Sequence, residues 1–193
     1  MKKIFFTVLL LILSVFVITS CGNNADSSDN NEAADKNTVF GIFNATDIYG
    51  NEVNESVFAE NKLTMVNIWA TFCGPCINEM PYLAEIADDY ADEGLAVIGV
   101  VADVSDEKGN VSDYLLSNAV YIVDITGADY LHIVPSAEMF SAKLDRTNTF
   151  PETIFIDSEG NQVGESYIGA RSEEQWIEII DSILSQEQSS EAQ

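Results

Sequence analysis

The chain has 193 residues, with 8 lysines and arginines against 32 aspartates and glutamates, and a net charge of −24. This acidity argues against binding to nucleic acid, because a phosphate-binding surface needs clustered Lys and Arg. Apolar residues make up 47% of the chain, which is enough to form the core of one domain. One histidine and three cysteines are few ligands for a metal site, and we expect none.

The first twenty residues have the pattern of an export signal. Lys2 and Lys3 precede an apolar run over residues 4–18, which is shorter than the about 20 residues of a membrane-spanning helix. The run ends in ITSC, which resembles the bacterial lipobox and places Cys21 at the mature N-terminus. We therefore expect a lipoprotein signal peptide over residues 1–20 and a lipid on Cys21. The alternative is an ordinary cleaved signal with an incidental cysteine.

The sequence beyond Cys21 predicts a linker, one domain and a tail. Residues 22–37 contain no large apolar side chain, so this segment cannot offset the entropy cost of ordering. We interpret residues 21–37 as a flexible, lipid-anchored linker and residues 38–185 as the folded domain. Residues 186–193 are polar and are predicted to be a disordered tail.

The domain alternates strands and helices. Strands are predicted over residues 38–43, 63–69, 95–101, 130–134, 153–157 and 162–168, with turns at 47–51 and 158–161. Helices are predicted from the cysteine pair to residue 90, from Ser112 to Gly127, over residues 137–144, and from Ser172 onward. For residues 121–124 a strand is the alternative. The strand–helix–strand order over residues 63–101 predicts a parallel βαβ unit.

Cys73 and Cys76 form a C-x-x-C motif at the junction between the predicted strand 63–69 and the following helix. Free backbone N–H groups and the helix dipole at this position favour an anion, so the pKa of the Cys73 thiol should be lowered. Cys76 is one helical turn along and can form a disulfide with Cys73. The spacing therefore predicts a pair that cycles between dithiol and disulfide.

Two other interpretations of the cysteine pair are weaker. A structural zinc site needs about four ligands, and the chain offers one histidine and no second cysteine pair. A permanent structural disulfide is possible outside the cytoplasm, but it stabilises mainly by closing long loops, and this loop is short. A redox-active disulfide without a further cofactor is the favoured interpretation.

The motifs around the cysteines resemble a known family. The segment WATFCGPC at residues 69–76 looks like the thioredoxin active-site segment, and Glu79 and Pro81 extend it to Cys-x-x-Cys-x-x-Glu-x-Pro. The segment FPETIFID at residues 150–157, with Gly160 after it, is similar to the cis-proline strand and hairpin. Together they resemble the extracytoplasmic thiol–disulfide oxidoreductases of the TlpA/ResA type, many of which are lipoproteins of Gram-positive bacteria.

This resemblance implies a thioredoxin-like α/β fold, in which helices flank a central mixed β-sheet, with an N-terminal strand extension and a helical insertion. It also implies roles for individual residues. Cys73 would attack a substrate disulfide, and Cys76 would resolve the mixed disulfide. A cis peptide bond before Pro151 would place the Phe150 backbone beside Cys73 to bind an extended substrate, and Trp69 would shape the surface near the cysteines.

Glu79 is predicted to exchange a proton with Cys76. Thioredoxins carry a buried Asp in the strand before the motif, and the matching residue here is Asn67, which cannot titrate. Glu79 lies about one helical turn after Cys76, and burial would raise its pKa. The alternative is a solvated glutamate on the helix surface.

The sequence departs from the family pattern at two places. Glu152 follows Pro151 where the family commonly has Thr, and its charge could raise the pKa of Cys73 or select substrates. The stretch over residues 103–129 is longer than the minimal fold requires, and the sequence assigns it no partner.

The resemblance implies a membrane-tethered, extracytoplasmic reductant of protein disulfides, because the Gly-Pro dipeptide between the cysteines is the thioredoxin one. Its electrons would come from a CcdA-like membrane donor. Apocytochrome c and an extracellular methionine sulfoxide reductase are possible substrates. Three alternatives remain. The first is a Sco-like copper-delivery module, for which the cysteine spacing is one short and His132 is the sole histidine. The second is a peroxiredoxin, whose Pro-x-x-x-Thr-x-x-Cys pattern is missing, and the third is a non-catalytic surface lipoprotein.

Overall fold

The computed structural model describes residues 38–191, with side chains as far as residue 186. The predicted signal peptide (1–20), Cys21, the linker (21–37) and residues 192–193 lie outside the described residues. In chain order, the strands and α-helices are β1 (Asn44–Asp47), β2 (Glu52–Asn54), β3 (Leu63–Trp69), α1 (Gly74–Tyr90), β4 (Leu95–Val101), α2 (Asp113–Thr126), β5 (Leu131–Val134), α3 (Ala137–Ala142), β6 (Glu152–Asp157), β7 (Gln162–Ile168) and α4 (Glu173–Glu191).

The described strands form one mixed sheet with the order β2-β1-β5-β4-β3-β6-β7. β3, β4 and β5 are parallel, which confirms the predicted βαβ unit. β6 and β7 are antiparallel additions on one side, and the β1–β2 hairpin is the N-terminal extension on the other. Every residue of β3 is buried between β4 and β6, so the carboxyl end of β3, which leads to Cys73, is held from both sides.

The strand predicted over residues 38–43 is wrong. Gly41 has a φ of 63° and its N–H closes a local turn, so the segment bends instead of pairing. The apolar pattern that suggested a strand comes from Phe40 and Phe43, whose rings pack against Phe58. Burial of these rings in the core explains the pattern without strand pairing.

The two helices nearest the cysteines have clear end signals. α1 takes Cys73 as its N-cap and is followed by a 3₁₀ turn that ends at Gly94, which has a φ of 91°. α2 begins after Ser112, whose side chain accepts a hydrogen bond from the helix, and ends at Gly127 with a φ of 68°. The predicted helix from Ser112 to Gly127 is therefore confirmed, and the alternative strand at residues 121–124 is wrong.

α4 extends further than expected. It runs to Glu191, so the backbone of residues 186–191, predicted as part of a disordered tail, is helical. The physical reason is that this segment contains neither glycine nor proline, and its Gln, Ser and Glu residues are compatible with a helix. No helix within the described residues is both long and apolar enough to span a membrane.

Candidate active site

Cys73 and Cys76 form a disulfide at the start of α1, with their Cα atoms 5.3 Å apart. Cys73 has an extended backbone, and the Cys76 N–H donates a hydrogen bond to Cys73 Sγ at 3.3 Å. Free N–H groups and the helix dipole favour negative charge at this position. After reduction of the disulfide, the same geometry stabilises a thiolate on Cys73.

The two cysteines differ in their access to solvent. Cys76 is fully buried, whereas Cys73 is 7% exposed and lies between the exposed residues Phe72 and Gly74. A reactant from solvent can therefore reach Cys73 before it reaches Cys76.

An aromatic lip lies beside Cys73 and consists of Phe72 and Phe150. The Phe72 side chain is 74% exposed, and its ring meets that of Phe150 edge-on with the centroids 6.2 Å apart. The Phe150–Pro151 peptide bond is cis, which confirms that prediction, and the Pro151 carbonyl accepts a hydrogen bond from the Gly169 N–H.

Trp69, which is predicted to shape the surface near the cysteines, does not itself reach that surface and packs in the same buried cluster as Cys73 and Cys76. Its side chain is fully buried, and Nε1 donates to His132 Nδ1 at 3.2 Å. The physical reason is its position in β3, where every side chain is covered by neighbouring elements. The exposed aromatic residue next to Cys73 is Phe72.

His132 is a buried neutral base behind the active site. Because Nδ1 accepts from Trp69, Nε2 carries the proton and donates to the Ala128 carbonyl at 2.9 Å. Burial lowers the pKa of His132 to about 4, although the bond to Ala128 opposes the shift. Gly99 makes room for this arrangement, since a Cβ there would lie 2.2 Å from His132 Nδ1.

Glu79 is buried, with 2% of its surface exposed, so the alternative of a solvated surface glutamate is wrong. Its carboxylate is held by residues from three other elements of the fold. Oε1 accepts from Asn67 Nδ2 at 2.9 Å, and Oε2 accepts from the Arg171 N–H at 3.2 Å and Trp176 Nε1 at 3.4 Å. Burial raises the pKa of Glu79, while these hydrogen bonds and the nearby charge of Arg171 oppose the shift.

Asn67 links Glu79 to the strand that follows Pro151. Its Nδ2 donates both to Glu79 and to Thr153 Oγ1, the latter at 3.0 Å. Its Oδ1 is buried and has no hydrogen-bond partner within the described part of the chain.

Tyr130 lies near the same carboxylate. Its hydroxyl is buried without a hydrogen-bond partner among residues 38–191. Burial and the Glu79 charge raise its pKa.

Glu152 is also buried, but it is paired with a cation. Its carboxylate accepts a hydrogen bond from the Nζ atom of Lys143, which directly follows α3. This salt bridge is largely shielded from solvent. The negative charge that the sequence places after Pro151 is therefore compensated.

The site offers little for a metal ion. No group of three potential metal-ligating residues occurs within residues 38–191. Both ring nitrogens of His132 are already hydrogen-bonded, which disfavours this residue as a copper ligand for the Sco-like alternative.

Residues 30–183 match the family model described as Redoxin. The chain belongs to the Redoxin family. It is 36% identical over 82 residues to the thiol-disulfide oxidoreductase ResA of Bacillus thuringiensis subsp. konkukian, an alignment that covers 42% of this chain and 47% of the relative. ResA of Bacillus cereus is 30% identical over 135 residues, or 69% of each chain. The chain thus spans about half the length of the first of these Redoxin relatives, and the resemblance to TlpA/ResA-type proteins is confirmed.

A solved structure supports the fold. The crystal structure of a thiol:disulfide interchange protein of the thioredoxin family from Chlorobium tepidum matches this Redoxin domain with a TM-score of 0.59 at 22% identity. The match covers 74% of this chain and 93% of that one. This likeness confirms the predicted thioredoxin-like fold.

Several residues of the site carry no signal in the sequence. Asp103, Arg171 and Trp176 contact the active-site segments across separations of 32, 92 and 97 residues along the chain, and Lys143 reaches Glu152 from the end of α3. The exposure of Phe72 could have been predicted from the sequence, because this residue directly precedes the first cysteine and therefore lies outside the buried face of the helix that follows.

Proposed function

We propose that this protein is a membrane-tethered thiol–disulfide oxidoreductase that reduces disulfides of extracytoplasmic proteins through Cys73 and Cys76. The observation that carries the proposal is the disulfide at the N-terminus of α1, in which Cys73 is the helix cap and Cys76 is buried. The Redoxin match and the ResA relatives agree with this chemistry.

The reaction begins with the reduced protein. The Cys73 thiolate attacks one sulfur of the substrate disulfide, and the second substrate sulfur leaves as a thiolate that takes a proton. The Cys76 N–H and the start of α1 stabilise the attacking thiolate. The product of this step is a mixed disulfide between Cys73 and the substrate.

The second step releases the substrate. Cys76 loses its proton, attacks Cys73 Sγ and displaces the remaining substrate sulfur, so the Cys73–Cys76 disulfide forms and the substrate is fully reduced. Glu79, buried on α1 with a raised pKa, is proposed to take up that proton. Two electrons and two protons from a donor then restore the dithiol.

The substrate is proposed to bind as an extended segment along Phe150, next to Pro151. The contact between the rings of Phe150 and Phe72 supports this, because Phe72 directly precedes the nucleophile. Apocytochrome c and an extracellular methionine sulfoxide reductase are candidate substrates, and a CcdA-like membrane protein is the candidate electron donor. Both proposals rest on the family resemblance.

The tether is proposed from the sequence of residues 1–37. Signal cleavage before Cys21 would leave a lipid on this cysteine and a flexible linker over residues 21–37, which places the folded domain on the outer side of the cell membrane. A Gram-positive source is part of the same proposal.

Thiol alkylation tests the roles of the two cysteines. In the reduced protein near neutral pH, iodoacetamide should label Cys73 much faster than Cys76, because Cys73 lies at the exposed helix start. Cys76→Ser should accumulate a mixed disulfide with a protein substrate, and Cys73→Ser should form none. Equal labelling rates, or faster labelling of Cys76, would contradict the assignment.

Insulin reduction with dithiothreitol as electron donor tests the activity itself. The wild-type protein should accelerate the reaction, and Cys73→Ser should reduce it to the uncatalysed rate. A measured redox potential would decide whether the protein acts as a reductant, and a strongly oxidising value would overturn that part of the proposal.

Glu79→Gln tests the proposed proton acceptor. The substitution keeps the side-chain shape and removes one titrating group, so the redox potential should depend differently on pH. Insulin turnover should slow by about a hundredfold, at the low end of general acid–base effects. Identical potential–pH curves for Glu79→Gln and wild type would remove Glu79 from the mechanism.

Membrane partitioning tests the anchor. The wild-type protein should sediment with membranes, whereas Cys21→Ala should be released or remain unprocessed. Unchanged processing and sedimentation of Cys21→Ala would show that Cys21 carries no lipid.

A further inference from the structure

A carboxylate outside the cysteine motif binds the turn that leads into Cys73. Asp103 Oδ1 and Oδ2 accept hydrogen bonds from the Thr71 N–H at 3.0 and 3.1 Å, and Thr71 Oγ1 donates to Asp103 Oδ2 at 2.6 Å. Thr71 is buried and Asp103 half-buried, so water competes weakly for these bonds. Hydrogen bonds to a charged acceptor are stronger than those between neutral groups.

Asp103 lies on the loop between β4 and α2, and this loop is itself held at several points. Ser105 Oγ donates to the Pro135 carbonyl at 2.7 Å, and the Ser112 N–H donates to the Val104 carbonyl at 2.8 Å. The loop is thus fixed both to the end of β5 and to the start of α2. The carboxylate is therefore carried by a rigid support.

The turn held by Asp103 carries Phe72. The Cys73 N–H closes the turn by donating to the Ala70 carbonyl at 2.9 Å. Phe72 remains largely exposed and contacts Phe150 on the segment before β6. Two separate loops thus form the aromatic lip, and its shape depends on how the turn over residues 70–72 is held.

We propose that Asp103 is a positioning residue that holds the turn over residues 70–72, so that Phe72 and Phe150 form a fixed docking lip for polypeptide substrates beside Cys73. This inference rests on the proposed disulfide exchange. It gives the start of the 103–129 stretch a role in substrate binding. It also implies that a small disulfide, which can reach Cys73 without using the lip, does not need Asp103.

Comparison of a protein disulfide with a small disulfide tests this role in the purified full-length protein. For Asp103→Asn, KM for insulin should rise roughly tenfold, because a neutral amide oxygen accepts the Thr71 hydrogen bonds more weakly than a carboxylate does, and kcat should stay within about twofold. The rate constant with dithiobis(nitrobenzoate) should also stay within about twofold of wild type. Glu107→Gln removes a charge from the same loop without touching Thr71 and should change neither reaction.

Substitutions at Thr71 provide the second arm. Thr71→Ser keeps the hydroxyl and should behave as wild type, whereas Thr71→Val loses it and should raise KM for insulin. Asp103→Asn combined with Thr71→Val should be less damaging than the sum of the two single changes, because both weaken the same contact. An unchanged insulin KM in Asp103→Asn, or an equal loss with both disulfides, would overturn the positioning role. A wild-type protein inactive towards both disulfides would instead refute the proposed function.

Discussion

Glu79 and Glu152 are two buried carboxylates in the active-site region, with 2% and 5% of their surfaces exposed, and they differ in their partners. Glu79 accepts hydrogen bonds from Asn67, the Arg171 backbone and Trp176, all of them uncharged donors. Glu152 forms a salt bridge with Lys143. The comparison shows that a buried carboxylate can be held either by several uncharged donors or by one cation.

The position of Arg171 sharpens this difference. Its backbone N–H binds Glu79, but its guanidinium carbon lies over the rings of Tyr167 and Trp176, 4.9 and 5.1 Å from their centroids. One guanidinium N–H donates to the Gly169 carbonyl. The cation therefore influences Glu79 without forming a salt bridge with it.

The largest expected effect comes from removing the cation beside Glu152. Lys143→Met should lower the free energy of unfolding by about 3 kcal/mol, because it leaves a buried carboxylate unpaired. Urea unfolding at neutral pH measures this. Combining Lys143→Met with Glu152→Gln should recover much of the loss, and a loss below about 1 kcal/mol in Lys143→Met alone would mean that the pair is solvated.

His132 provides a buried titrating group with which the two glutamates can be compared. Its pKa is 6.5 in the unfolded chain and about 4 in the fold. As the pH falls from 6.5 to 4, the unfolded chain takes up a proton that the folded protein does not, so this residue should cost about 3 kcal/mol of stability in that window. His132→Asn keeps an acceptor for Trp69 and removes the titrating group. Between pH 7 and pH 4, its free energy of unfolding in urea should fall less than that of the wild type. Equal losses of stability in the wild type and in His132→Asn would show that other groups cause the pH dependence.

The smallest expected effect is that of Glu79→Gln, and it is also the most diagnostic, because the same substitution should act in opposite directions at the two glutamates. At neutral pH, Glu152→Gln should destabilise the protein by leaving Lys143 without its partner, whereas Glu79→Gln should stabilise it slightly. Because the pKa of Glu79 is raised in the fold, its protonation adds stability as the pH falls. The advantage of Glu79→Gln should therefore shrink on acidification and vanish below pH 4.5, the ordinary pKa.

Urea unfolding of both variants across this pH range measures the contrast. If Glu79→Gln destabilises the protein at neutral pH, the fold needs Glu79 as an anion, as is expected for Glu152.

The sequence predicts most of this fold because the local signals are strong. The apolar run of β4, the glycine after α2 and the Cys73–Cys76 spacing each define an element or its end within a few residues. The strand predicted at residues 38–43 failed because aromatic residues are equally suited to a strand and to a bent segment that packs its rings inward.

The partners of the site residues could not be predicted in the same way. Glu79 meets Arg171 and Trp176 only because the turn after β7 and the start of α4 return to α1. Asp103 meets Thr71 only because β3 and β4 are adjacent and end at the same edge. Such contacts depend on the completed sheet, and no periodicity within a short window encodes them.

Within residues 38–191 the Asn67 Oδ1 has no hydrogen-bond partner, and this has a consequence for how the interior adapts to protonation. The Asn67 amide donates an N–H to the ionised Glu79 carboxylate. Once Glu79 is protonated, its carboxyl group can donate a hydrogen bond to Asn67. A half-turn about the last bond of the Asn67 side chain exchanges nitrogen for oxygen, and Thr153 can then donate where it previously accepted. Both hydrogen bonds of Asn67 thus reverse their direction while only the amide nitrogen and oxygen exchange places, so the interior can accommodate one added proton with little change in shape.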